Sequence, residues 1–156
     1  MTGPRTPAPA LDDISKQIIE LLQADGRMAY AAIAKHVGLS EAAVRHRVQK
    51  LVDGGVMQIV AVTDPMQMGF ARQAMIGITV DGRVREVAAE LEKLEAIDYI
   101  VITAGRFDIL LEVVAGSDDE LLDVISEQIG SIDGVATTET FVYLRLQKQT
   151  YSWGTR

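Results

Sequence analysis

A chain of 156 residues, 48% of them apolar, has room for one large domain or two small ones and ample material for a packed core. It has no cysteine, which excludes disulfides and thiolate metal sites, only His36 and His46 as histidines, which excludes a three-histidine metal centre, and a net charge of -7, which argues against a polyanion-binding surface spread over the whole molecule. No stretch approaches the ~20 uninterrupted apolar residues of a membrane span and the start lacks the basic-then-apolar order of a signal peptide, so a soluble cytoplasmic protein with no membrane partner is expected.

Residues 1–10 (MTGPRTPAPA) have almost nothing to bury and read as a disordered tail. From Leu11 the pattern changes. Leu11, Ile14, Ile18, Leu21 and Leu22 recur at helical spacing, Asp12 and Asp13 stand where carboxylates favour a helix start, and Gly26 ends the run. Between Tyr30 and Asp53 two short apolar-periodic segments meet at Val37-Gly38-Leu39-Ser40, where Gly38 suits a left-handed turn and Ser40 suits a helix N-cap. This is a helix-turn-helix pattern.

On a helical wheel with Val44 at the origin, Arg47, Val48 and Leu51 fall near it, whereas Ala42, Arg45, His46 and Gln49 fall opposite. One face therefore packs, against Ile33, Ala34, Val37 and the first helix, and the other is free. Arg45 and Gln49 suit guanine and adenine edges in a major groove, Ala42 suits a thymine methyl, and His46 faces DNA or solvent. Arg27, Lys35 and Lys50 flank this face as phosphate contacts, with the amides of the Ser40-capped helix start. The plain alternative is an ordinary amphipathic helix pair. Charge favours the first reading: seven basic against six acidic groups leave +1 in residues 1–62, so the remainder carries -8, and within 27–50 five basic groups face Glu41 alone.

Gly54-Gly55 stops the helix, and Val56 to Val62 reads as a short strand, which would make residues 11–62 a winged-helix-like unit. Residues 63–73 read as a linker or hinge in which Met66 and Met68 pack. Over 74–149 the predicted order is strand (Ala74–Val80), helix (Val84 to Leu94), strand (Asp98–Ala104), strand (Ile109–Ala115), helix behind a Ser117/Glu120 capping box, and strand (Val135–Leu146), with 150–156 a tail. That is a ferredoxin-like βαββαβ domain, so the fold class is α+β. Both alternating residue sets of its central strands are apolar, Ile100, Ile102, Ile109, Leu111 and Val113 on one side and Tyr99, Val101, Leu110 and Val114 on the other. Two helices cover one face only, so the other calls for a second copy in a two-fold dimer, unless tail residues such as Tyr151 and Trp153 hide it.

The stretches LDDISKQIIELLQADGR (Leu11 to Arg27), IAKHVGLSEAAVRHRVQKLVDGGVM (Ile33 to Met57) and TAGRFDILLEVV (Thr103 to Val114), in this order, resemble the leucine-responsive regulator and AsnC (feast/famine) family of bacterial transcription regulators. The resemblance implies a partner in double-stranded DNA, an amino-acid effector, sheet-mediated homodimers, and assemblies of dimers such as octamers. It places the effector between dimers near Gly105-Arg106-Phe107-Asp108, where turn amides suit an α-carboxylate and Asp108 an ammonium, with Thr103 before the loop and Thr138 and Thr140 on the last strand. The alternative is a tight turn with Phe107 in the core and Asp108 bonding its own backbone. No catalytic residue, metal or cofactor is expected. Two other functions remain on this scaffold: a siroheme-decarboxylase-like enzyme, which the lack of histidine in the second domain disfavours, and an effector-independent architectural DNA-binding protein.

Overall fold

Three helices build the first unit, and local chemistry sets their ends. The computed structural model describes residues 11–151, 154 and 155; the expected N-terminal tail and Trp153 lie outside the described residues. Helix α1 (Asp13–Ala24) is capped by Asp12, whose Oδ1 accepts from the Ser15 amide at 2.8 Å, so Asp12 is the cap rather than a first-turn residue. Helix α2 (Tyr30–Val37) ends on Gly38 at φ 70°, a left-handed backbone that a Cβ would strain. Helix α3 (Glu41–Asp53) starts on Ser40, whose Oγ accepts from the Ala43 amide at 3.2 Å. Ile18, Leu22, Ile33, Ala34, Val44 and Val48 form the small core between them. Arg47 turns to that side as predicted and reaches Asp12 Oδ2 at 2.7 Å, joining α3 to the start of α1.

The strand expected over Val56 to Val62 does not form. The Val56 and Met57 amides instead close α3 by donating to the Leu51 carbonyl, and Ile59 and Val60 are exposed at 47% and 67%. An apolar β-prone run becomes a strand only where a neighbour takes its backbone groups, and none among the described residues does.

The chain folds as two compact units, residues up to Ala61 with those from Lys148 onward, and Val62–Gln147. The second opens with a 3-10 turn, Pro65–Met68, capped by Asp64. Met66 and Met68 are 57% and 58% exposed, so these methionines do not pack as expected. There follow β1 (Arg72–Val80), α4 (Val84–Leu91), β2 (Ile97–Ile102), β3 (Ile109–Ala115), α5 (Asp118–Asp123, continued by a π-helical stretch Val124–Ile129) and β4 (Val135–Val142). The four strands form one antiparallel sheet in the order β2-β3-β1-β4, the ferredoxin-like arrangement. Ser117 Oγ caps α5 through the Glu120 amide, while the Glu120 carboxylate reaches back to the Gly116 amide, one residue earlier than a standard capping box. Arg72 grips Asp118 through Nε and Nη2, tying β1 to the start of α5 and lowering the Asp118 pKa.

One sheet face carries the core: Ala74, Ile76, Ile78, Ile109, Leu111 and Val113 pack on Val87, Leu91, Leu121 and Ile129 of the helices. The opposite face, through the same register, presents Met75, Val101 and Leu110 half-buried, with Tyr99 52% and Phe141 45% exposed. Tyr151 is itself 56% exposed. Strand β4 ends at Val142 rather than Leu146 because β1 begins at Arg72: after the Tyr143 amide donates to the Gln73 carbonyl at 2.8 Å no strand partner remains among the described residues, and Leu144 is 98% exposed.

Candidate nucleic-acid and effector sites

On α3 the side chains predicted to face outward are all exposed: Ala42, Arg45, His46, Gln49 and Lys50, with Ser40 at the cap and Lys35 on α2. Arg27 is exposed in the α1–α2 turn, which its amide helps to close by donating to Asp25 Oδ1 at 2.9 Å. Two of the expected readers have partners that sequence reasoning missed. Arg45 donates to Glu41 at 2.9 Å and lies over the Tyr30 ring, 5.2 Å from its centroid; Gln49 Nε2 donates to Asp53 Oδ1 at 2.7 Å. Both carboxylates lie four residues along the same helix, a spacing visible in the sequence that only wheel positions beyond the apolar stripe would have drawn out.

In the second unit the turn between β2 and β3 is fastened at both ends. The Thr103 hydroxyl donates to the Phe107 carbonyl, the Thr103 amide to the Asp108 carbonyl at 2.8 Å, and the Asp108 amide to the Ile78 carbonyl at 2.9 Å. Asp108 Oδ2 accepts from the Val80 amide at 2.8 Å, so this carboxylate bonds the neighbouring strand rather than its own backbone. Thr103 and Asp108 thus hold the loop in place. Between them, among the described residues, no acceptor takes the Gly105, Arg106 or Phe107 amides.

Phe107 is half-buried, but outside the helix-covered core. It lies on the open sheet face across Gly77, where an added Cβ would meet its ring at 2.6 Å, and stands edge-on to Phe141 at 6.2 Å. Arg106 pairs with Glu139 at 2.7 Å on that same face, since Glu139 is opposite Gly77 in the β1–β4 register. Thr138 and Thr140 are brought elsewhere. They pair with Ile78 and Ile76, whose side chains enter the core, so strand alternation sets them on the helix side and away from the loop's face. As candidates for completing the effector pocket, they stand within this chain on the sheet face opposite that of Phe107 and Glu139. Glu139 and Phe141, the residues between and after them, are the ones the loop meets, and a sheet register was needed to find them.

None of these loop and strand residues lines either of two surface cavities. One, of about 720 Å³, lies in the second unit against Met68, Phe70, Leu94, Asp98 and Val124; the other, of about 260 Å³, lies in the first against Gln17, Leu21 and His36.

A helix-turn-helix with an exposed α3 face, joined in one chain to a ferredoxin-like domain, is an arrangement that comparisons resolve. Residues 11–52 match the AsnC-type helix-turn-helix domain and residues 73–153 the Lrp/AsnC ligand binding domain. The chain belongs to the Lrp/AsnC family. It is 35% identical to an HTH-type transcriptional regulator of Pyrococcus furiosus over 91% of this chain and 97% of the relative. Among solved structures, E. coli AsnC superposes with a TM-score of 0.79 at 28% identity, covering 90% of this chain and 97% of AsnC. Mycobacterium tuberculosis leucine response regulatory protein superposes at 0.82 and 30% identity, covering 89% and 96%. This Lrp/AsnC protein is therefore a transcriptional regulator with a helix-turn-helix and a ligand-binding domain, and its relatives carry regulator names rather than enzyme names. No helix among its described residues is long and apolar enough to cross a membrane.

Proposed function

We propose that this regulator reads double-stranded DNA sequence-specifically through Ala42, Arg45, His46 and Gln49, with Arg27, Lys35, Lys50 and the Ser40-capped helix start on phosphates, and that a small-molecule effector, an amino acid, at the β2–β3 turn shifts its DNA affinity. The observation that carries this is the division of α3: Val44, Val48 and Leu51 are buried and Arg47 is tied to Asp12, whereas every proposed reader is exposed. In domain terms, 11–62 binds DNA, 63–73 is a hinge, and 74–149 takes the effector and assembles.

At the turn, the Gly105, Arg106 and Phe107 amides receive the effector carboxylate and Asp108, fixed by the Val80 amide, accepts from its ammonium. The open face bearing Tyr99, Val101, Leu110 and Phe141 is covered by a second copy, giving a two-fold pair of reading heads matched to DNA half-sites. Effector at the seam between dimers, in an assembly such as an octamer, then alters DNA affinity, and operator DNA alters effector affinity by the same factor.

Calorimetry with a panel of amino acids, run beside size-resolved light scattering, tests the sensing half: binding of at least one, with a change in assembly, is expected, and a panel without either result removes it. For the reading half, Arg45→Ala and Gln49→Ala each lower preference for the selected sequence by ~1 to 3 kcal/mol, whereas Lys50→Ala flattens the salt dependence. Uniform loss on all sequences in the first two variants would remove the assignment of the face.

A further inference from the structure

We infer that Tyr30 and Glu41 are positioning residues that set the base preference of Arg45. This rests on the proposal that the free face of α3 reads DNA. A guanidinium is planar, with five N–H donors around its edge and two faces open to stacking. Arg45 uses one donor and its charge: Nη2 donates to Glu41 Oε1 at 2.9 Å, and its carbon centre lies over the Tyr30 ring, 5.2 Å from the centroid. The remaining edge stays available for the two acceptors, O6 and N7, of a guanine.

Tyr30 is fixed by packing and Glu41 by its backbone. Tyr30 is half-buried at the first position of α2 and packs against the cluster of Ile18, Ile33 and Val44, so its ring is a stationary platform. Glu41 is the first residue of α3, on the turn capped by Ser40. At 64% side-chain exposure Arg45 would otherwise sweep through many rotamers, most of which reach a phosphate as readily as a base.

The consequence is a difference between two kinds of contact. Bidentate contact with guanine leaves both the Glu41 pair and the Tyr30 cation–π contact in place. Swinging out to a phosphate breaks them, and brings the uncompensated Glu41 carboxylate close to the same polyanion. The holders thereby favour the base over the backbone and widen the gap between selected and unselected DNA.

The test is in vitro selection from a random 30-base-pair duplex pool by the full-length protein, followed by sequencing of the pools bound by wild type and by each variant. Arg45→Ala is expected to lose preference at one position of the selected site. At that same position Glu41→Gln lowers the preference ratio about twofold and Tyr30→Leu about two- to fivefold, while Tyr30→Phe, which keeps the ring face, matches wild type. Glu41→Gln also raises affinity for the unselected pool with a steeper salt dependence. Circular dichroism melts accompany each variant, so a loss of folding is told apart from a loss of the cation–π contact. Wild-type preference in both Glu41→Gln and Tyr30→Leu overturns the inference alone. Absence of any position-specific loss in Arg45→Ala overturns it together with the reading of the α3 face.

Discussion

Asp12 carries two duties on one side chain. Its Oδ1 caps α1 and its Oδ2 holds Arg47 of α3, 35 residues away. Hydrogen bonding with the Ser15 side chain, then with Arg47 and the Ser15 amide, lowers its pKa to about 2 from an ordinary 3.8. A carboxylate whose pKa falls on folding stabilises the folded state fully above about pH 4 and loses that stabilisation as pH drops toward 2. Asp12→Asn keeps a capping oxygen but not the charge, so the melting temperature of the helical signal should depend less steeply on pH between 4 and 2 than in wild type. Parallel slopes for the two proteins would show that Asp12 does not titrate in this way. The α1 cap was within reach of sequence reading, because an acidic residue before an apolar-periodic run is local chemistry. Its grip on Arg47 was not, because nothing local links positions 12 and 47.

At the scale of elements, the β2–β3 turn depends on β1. Gly77 is buried in the middle of that strand, and the ring of Phe107 occupies the space a side chain would fill. Glycine weakens a strand interior, and here the close approach of an aromatic ring accounts for it. Gly77→Ala would place a Cβ 2.6 Å from Cγ and Cδ2 of Phe107, atoms too near the backbone to swing clear without moving the turn. Urea denaturation should report a loss of about 1–3 kcal/mol, the usual cost of overpacking. An unchanged transition midpoint would mean that the turn yields freely. The helix-turn-helix elements were legible because Gly38 and Ser40 act on their own neighbours. The expected strand at Val56 to Val62 failed because β-structure needs a partner that residue pattern does not supply, and the sheet face that Thr138 and Thr140 take was hidden for the same reason. In a strand, one residue of register exchanges the two faces, so the loop meets Glu139 and Phe141 instead.

For the whole molecule, the open sheet face is the feature from which the proposed assembly follows. Glu112 there accepts from Gln73 at 2.9 Å, and burial followed by hydrogen bonding with Glu112 pushes the Tyr143 phenol up to about 12, so these polar groups of the face are already satisfied among themselves. Arg106 and Glu139 pair on the same face, and beside these groups Tyr99 and Phe141 face outward. Replacing Phe141 and Tyr99 together by Asp should reduce the mass seen by light scattering to that of a single chain while the sheet signal in circular dichroism persists. A double variant that keeps the wild-type mass would place the subunit contact elsewhere.

By itself the sequence determined the three helices of the first unit, the βαββαβ order of the second, the family, and the outward face of α3. These rest on periodicity, capping and turn chemistry, which act over a few residues. Tertiary structure alone decided that Asp12 holds Arg47, that Phe107 lies across Gly77, that Arg106 meets Glu139, and that Thr138 and Thr140 face the helices. Each joins positions far apart in the chain, and the physical reason is common to all: strand register and helix packing choose among partners that local pattern leaves equivalent.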